Sequence, residues 1–490
     1  MAVLPPPAPG CASCAARDEL IAEQGQAIAE LKSDLVALAE EVRQLRRRLG
    51  RNSGNSSMAP SADDLPGRAA PAAKPEPKRG GGRKPGKQPG APGAHLAWSA
   101  DPDRTVPHFP QGGCECGADL AAAGDLGVAA SHQVIDVPLE TARVVQHDLH
   151  EVACTCGRVH RASAPAGAGA PGTVTYGLAL QALCVYLIAC HAVPVHRCAE
   201  LIGALTGAQP SPGFVHGMIR RAAAAAAEAN KAIRCLIILA HVVSADETPI
   251  RVGPGPKARK KYLLVACTSL LTYYFLGDRS GKTFAAFVLP DMDGVVVVHD
   301  RYPNYDAFPG LAHQLCTAHL VRDLADAAET YPDAHWPVQI REALQGLIHA
   351  ANTARAAGLA AVPADVAAPL IKAFRHGVIL GLGQVKKADG RKQEPFRHLL
   401  QCLRDRQDDV LRFTTDLRIP ATSNQAERDL RPAKTQQKIS GRLRSEQVTR
   451  HRYAIRGYTD TARKHGLSAL TAIRDALAGN PWMPPIPDPP

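Results

Sequence analysis

Between residues 236 and 330 the apolar residues leave helical spacing and gather into short β-rich runs, and this change restricts the fold of the 490-residue chain more than any other feature. The runs are "LIILAHVVSADETPIRV", "KYLLVACTS" and "LLTYYFL", followed by a helical "GKTFAAFVL", the strand "GVVVVHD", and "HQLC" leading into the helix "TAHLVRDLADAAE". Three successive strands and then alternating helix and strand predict an α/β layer with a mixed sheet. Residues 336 to 415 return to helical patterning ("PVQIREALQGLIHAANTARAAG", "VAAPLIKAFRHGVILGL", "FRHLLQCLRDRQDDVLRF"). A helical insertion over 331–418 therefore splits the α/β unit into 236–330 and 419–480. Aromatic residues are only 4% and Ala-rich stretches abound, which suits helices packed around few bulky side chains.

The N-terminal half is organised differently. Ile21, Ile28, Leu35, Val42 and Leu49 share one heptad position, and Gln24, Leu31, Leu38 and Leu45 share the other. β-branched residues in the first set and Leu in the second favour a parallel two-stranded coiled coil over 18–50, which makes the chain a homo-oligomer; a solitary amphipathic surface helix is the plainer reading. Residues 51–104 are rich in Gly, Pro and Ser, carry scattered positive charge and have no apolar period, so they form no core. Such a linker grips phosphates without reading sequence, or serves only as a solubilising tether. Residues 105–165 hold "CECG" (Cys114, Cys116) and "CTCG" (Cys154, Cys156), two tight pairs able to enclose one structural Zn²⁺ tetrahedrally, with a spacer one residue shorter than in common zinc ribbons. His132 or His160 can replace a cysteine, whereas Cys11 and Cys14 sit in a Pro/Ala-rich tail with no matching pair. Residues 173–232 read as helices around the Pro194 break and the turn "AQPSPG", either a helix-turn-helix ending in Arg220 and Arg221 or a plain helical hairpin packed on the next domain.

A formal charge of +11 and a pI near 9.1, with clustered basic residues, favour a polyanionic partner. No window of 18 uninterrupted apolar residues exists, and the start "MAVLPPPAPGCASCAARDE" has neither a basic head nor a long apolar centre. Membrane spanning and secretion are thereby disfavoured, leaving the cytoplasm. The thirteen cysteines, some paired and some alone in apolar helices, read as metal ligands and buried thiols rather than a disulfide framework.

Two carboxylates are carried by strands of the α/β unit: Asp246 in or just beyond the first strand, in "SADETP", and Asp300 at the end of "GVVVVH". Aspartate at such a place often only opens a turn. Ligands of open sheets nevertheless gather at strand ends, and a hard cation such as Mg²⁺ requires a third oxygen donor from another element. Glu427 in "TSNQAERDLRP" is the candidate, an acid in a stretch with eleven Lys/Arg against four Asp/Glu between Asn424 and Lys464. Its spacing from Asn424 is equally that of a helix capping box, and Pro432 predicts that the helix bends or restarts soon after.

Taken in order, the heptad helix, "RNSGNSS", "GRKPGKQPGAPG", "CECG", "CTCG", "SADETPIRV", "HDRYPNYD", "CTAHLVRD" and "SNQAERDLRP" resemble the large transposase of the insertion sequence 66 family along nearly the whole chain. The resemblance implies an RNase H-like catalytic domain with an Asp-Asp-Glu triad, carried by motif onto Asp246, Asp300 and Glu427. It further implies Mg²⁺ or Mn²⁺ at that triad, a DNA partner in the form of terminal inverted repeats and target DNA, accessory proteins of the same element, and location at the nucleoid. His319, Arg322, Arg431 and Lys438 would hold DNA, each also readable as an ordinary surface charge or partner. Two departures occur, Ser423 where the family usually has the first of two asparagines and the ending "GAPGAH" of the tether, and neither touches a triad carboxylate. A nuclease or resolvase lacking strand transfer, and a non-catalytic zinc-containing DNA-binding regulator, are the rival functions.

Overall fold

The computed structural model describes residues 12–50, 98–135, 141–163, 173–253, 259–385, 395–441 and 443–486. The linker expected over 51–104 therefore falls almost wholly outside the described residues. Helix α1 (Ala12–Gly50) is one continuous segment, and Ile21, Ile28, Leu31, Leu35 and Leu38 along it are all exposed. Strands β1 (Glu151–Ala153) and β2 (Val159–Arg161) form a two-stranded antiparallel hairpin around the second cysteine pair.

Four helices follow: α2 (Leu178–Val185), which runs on into a π-helical segment over Tyr186–Cys190, then α3 (Val195–Thr206), α4 (Pro212–Ala225) and α5 (Ala227–Ile238). Pro194 caps α3, and Ser211 caps α4 by accepting the Phe214 N–H. Buried Val185, Ile202, Val215 and Met218 of this layer pack with Ile455 and Ile473 from the C-terminal helices, so the helical hairpin rests on the next unit. The run at 236–238 belongs to α5 and not to the first strand. Ala229, Ile233 and Ile237 recur every four residues and are all buried, so helical period prevails there over β-rich composition.

The sheet contains β3 (Val242–Val252), β4 (Arg259–Cys267), β5 (Thr272–Gly277), β6 (Val296–His299) and β7 (Ala312–Leu315), with α6 (Gly281–Ala285) between β5 and β6. Its order is β5-β4-β3-β6-β7: β3, β4 and β5 pair antiparallel, while β6 and β7 run parallel to β3. The expected mixed sheet is present. One face packs Val243, Ala245, Leu264 and Val297 against α5 and Phe284 of α6.

After β7 come α7 (Thr317–Thr330), within the span expected for the first part of the α/β unit, and then α8 (Trp336–Ala356), α9 (Ala364–Gln384), α10 (Pro395–Asp405) and α11 (Gln407–Thr415), all inside 331–418. Their core takes in Val296, Val298 and Leu315 of the sheet. Helix α9 is long and apolar enough by length and composition to cross a membrane. It packs here against α8 and α10, and Gly381 permits the approach: a Cβ there would lie 2.7 Å from Leu400 and 3.0 Å from Trp336.

Helices α12 (Asn424–Ile439), α13 (Glu446–Lys464) and α14 (Ala469–Leu477) complete the described chain. Ala426, Leu430 and Ala433 seat α12 on the second face of the sheet, over Ile250, Val252, Leu263 and Val265. The helix passes through Pro432 without restarting, so of the bend or restart expected there the restart does not occur.

Candidate active site

Register partners Ser244 and Val298 lie across the parallel β3–β6 pair. Two residues further along each chain come Asp246 and Asp300, so continuing the register sets the two carboxylates side by side on neighbouring strands, at the strand spacing of about 4.8 Å. Alternation puts Asp246 on the face of Ile250 and Val252, which α12 covers. Asp246 accepts the Glu247 N–H at 2.8 Å, and Asp300 accepts the Tyr302 N–H at 3.1 Å. Between Asp300 and Tyr302 the chain turns through Arg301, left-handed at φ 74° and ion-paired to Asp323 of α7.

Glu427 enters from above on the first turn of α12. The capping-box reading of this residue fails: Ser423 occupies the N-cap, its side chain caps nothing, and Glu427 lies beyond the third helical position. The carboxylate instead faces α7, with His319 Nε2 and Arg322 Nη2 each 3.9 Å from Oε1. Thr317 fixes the two helices, donating to the Ala421 carbonyl from its N–H at 3.0 Å and its hydroxyl at 2.9 Å.

Electrostatics couple the two aspartates to His319 of α7. Burial first, then the charges of Glu247 and Asp300, push the Asp246 carboxyl well above its usual range. His319 feels both aspartates while standing beside Glu427. Burial opposes its protonation, yet Cys316 and Asp300 lift its imidazole to about 9. Cys316, the buried N-cap of α7, is raised by burial and lowered by His319 and Ser423, to a net value of about 7. The Ser423 N–H points to its sulfur at 3.3 Å.

Sequence reasoning did not single out Glu247 or Cys316. Glu247 lies within the quoted "SADETP", but strand alternation sends it to the opposite face, where Arg279 Nε (3.0 Å) and Tyr305 Oη (3.1 Å) bind it. Cys316 and His319 are three apart in "CTAH", a one-turn spacing that is legible as a pair once the helix is known.

The expected DNA-holding residues separate. His319 is buried and Arg322 half-buried at the carboxylates, while Arg431 and Lys438 are exposed on α12. The two cysteine pairs adopt one geometry. In each, the first cysteine's N–H reaches the carbonyl four residues on and the following Gly N–H returns to its carbonyl, all at 2.8 Å, with Gly117 and Gly157 both at φ 84°. All four thiols are exposed.

Among the described residues, the group with three metal-capable atoms within 4.8 Å of one another is His299, Asp306 and His313. Neither the three carboxylates nor the four cysteines fall within that mutual distance. The His299–Asp306–His313 group is already engaged, His299 Nε2 lying 3.1 Å from His313 Nδ1 and Asp306 3.0 Å from Arg406.

A family model described as "Transposase IS66 family" matches residues 173–451, more than half of the chain. The chain belongs to this transposase family. A second model, a family of unknown function (DUF6444), matches residues 9–97. No curated protein matches the chain. The family match runs from α2 into α13, so the transposase region takes in both the sheet and the inserted helices as well as Asp246, Asp300 and Glu427.

Proposed function

We propose that this transposase cleaves and joins DNA with an RNase H-like domain whose Asp246, Asp300 and Glu427 hold two divalent cations, Mg²⁺ or Mn²⁺. The observation that carries the reading is the β3–β6 register, which sets Asp246 beside Asp300 on the face covered by the helix that carries Glu427. The donor set suits hard cations: oxygen ligands from three elements, with Asp246 held up by burial and then by the charges of Glu247 and Asp300, which a bound cation would offset. Bound cations supply a nucleophile at neutral pH and stabilise the departing 3′ oxygen. The protein's own groups prepare that chemistry. Protonated His319 and Arg322 brace the Glu427 carboxylate from α7, and Arg279 with Tyr305 fixes Glu247 beneath the aspartates.

On this reading hydrolysis frees a 3′ hydroxyl at each transposon end, and that hydroxyl attacks target DNA in line at the same site. Arg431 and Lys438 hold strand phosphates along α12. The exposed stripe of α1 pairs two copies as a coiled coil, Cys114, Cys116, Cys154 and Cys156 bind a structural Zn²⁺, and terminal inverted repeats are bound at the nucleoid with accessory proteins of the same element. The test is Asp300→Ala in purified protein with labelled end DNA and Mg²⁺. End binding is expected to persist while cleavage and strand transfer vanish. Retained cutting removes Asp300 from the site, and cutting without joining by the parent protein leaves the nuclease reading in its place.

A further inference from the structure

Away from the carboxylates, a cavity of about 390 Å³ opens between α12, α13 and the end of the π-helical segment. Arg428, Arg431, Arg452 and Arg456 line it with Tyr453 and Gln436, and no Asp or Glu does. Arg456 is already engaged, to Asp460 at 2.7 Å and to the Cys190 carbonyl at 2.8 Å. Arg452 is not. It is only 8% exposed, and its Nε and Nη1 are buried without a hydrogen-bond partner, as is the neighbouring Tyr453 hydroxyl.

A buried guanidinium without a partner is costly, and a planar fork of N–H donors matches the oxygens of a phosphate or carboxylate. Arg428 and Arg431 add exposed positive charge at the rim, on the helix turn next to Glu427. Three uncompensated cations around buried donors favour a dianion such as phosphate over a single carboxylate. At ~30 Å³ per water the cavity has room for on the order of a dozen, more than one phosphate fills, so a sugar and base fit beside it.

The geometry points to a phosphate-ester site: Arg452 and Tyr453 hold the phosphate of one unpaired nucleotide, and Arg428 and Arg431 carry the adjoining strand toward Glu427. The strand placement rests on the transposase reading above; the phosphate site itself does not.

The test is thermal unfolding of the full chain in sodium phosphate against sodium chloride at matched ionic strength. Phosphate at a hundredfold excess over its Kd is expected to raise the melting temperature by roughly 3 °C beyond chloride. Arg452→Leu should lose that increment while melting no lower in chloride, because it removes an unpaired buried charge. If Arg452→Leu does not fold, exposed Arg431→Gln serves, with a severalfold higher half-saturating phosphate concentration expected. Equal effects of phosphate and chloride on the parent chain, or an undiminished increment in both variants, overturn the site. Asp300→Ala should keep the increment, which separates this site from the catalytic reading. A duplex with one unpaired nucleotide should compete with phosphate at lower concentration than 5′-dAMP or a fully paired duplex. Equal competition by 5′-dAMP assigns the pocket to free nucleotides and overturns the strand placement.

Discussion

Asp246→Asn should stabilise the metal-free protein while removing its response to Mg²⁺. Burial, and then the charges of Glu247 and Asp300, oppose ionisation of Asp246; the register puts Asp300 about 5 Å away, where at an effective dielectric of 20 ionising both carboxyls costs about 3 kcal/mol. Relaxation and divergence of the side chains reduce this, so a gain of about 1–3 kcal/mol is expected. Asparagine keeps the acceptor that takes the Glu247 N–H at 2.8 Å, so local structure is preserved. The pH dependence has a definite sign. Asp246 is raised in the folded state, which therefore retains a proton that the unfolded chain has released. Its contribution to stability falls as pH rises from the usual carboxylate range through the higher folded value, and Asp246→Asn lacks that fall. Urea unfolding in EDTA at pH 5 and pH 7 measures both effects, and repetition in Mg²⁺ measures the cation's share. A variant less stable than the parent at pH 7 in EDTA, or one that Mg²⁺ stabilises equally, refutes the reasoning.

Replacing Cys154 by Ser should release zinc and weaken specific end binding, read by metal analysis and gel shift; unchanged metal content refutes the knuckle assignment. Deleting residues 18–50 removes the exposed apolar stripe and should convert a dimer to a monomer by light scattering, with an unaltered mass counting against the coiled coil. Gly381→Ala gains about 1 kcal/mol of helix propensity but overpacks Leu400 and Trp336 at a cost of roughly 1–3 kcal/mol, so a net loss of about 1 kcal/mol is expected in thermal unfolding.

The α/β layer, its mixed sheet and the helices over 336–415 were legible because period-2 and period-3.6 patterns alternate in long blocks. Asp300 was legible for a related reason, as the apolar run of β6 stops at it, whereas Asp246 lies inside β3, which runs on to Val252. At Leu236 local pattern misled, since β-rich composition there overlies the four-residue spacing of Ala229, Ile233 and Ile237. Glu427 was ambiguous because a capping box and a helix-borne ligand share one spacing; only the packing of α7 on the Ala421 carbonyl resolves which way that carboxylate faces. The Arg452 pocket had no local signal. It joins α13 to the π-helical segment more than 250 residues away, a juxtaposition that only tertiary packing creates.

Anomalous scattering from Mn²⁺ soaked into crystals of the full chain tests the shared carboxylate site most directly. The account predicts density bounded by Asp246, Asp300 and Glu427. Manganese found only at His299, Asp306 and His313, or a Glu427 side chain turned away from an ion held by the two aspartates, contradicts it.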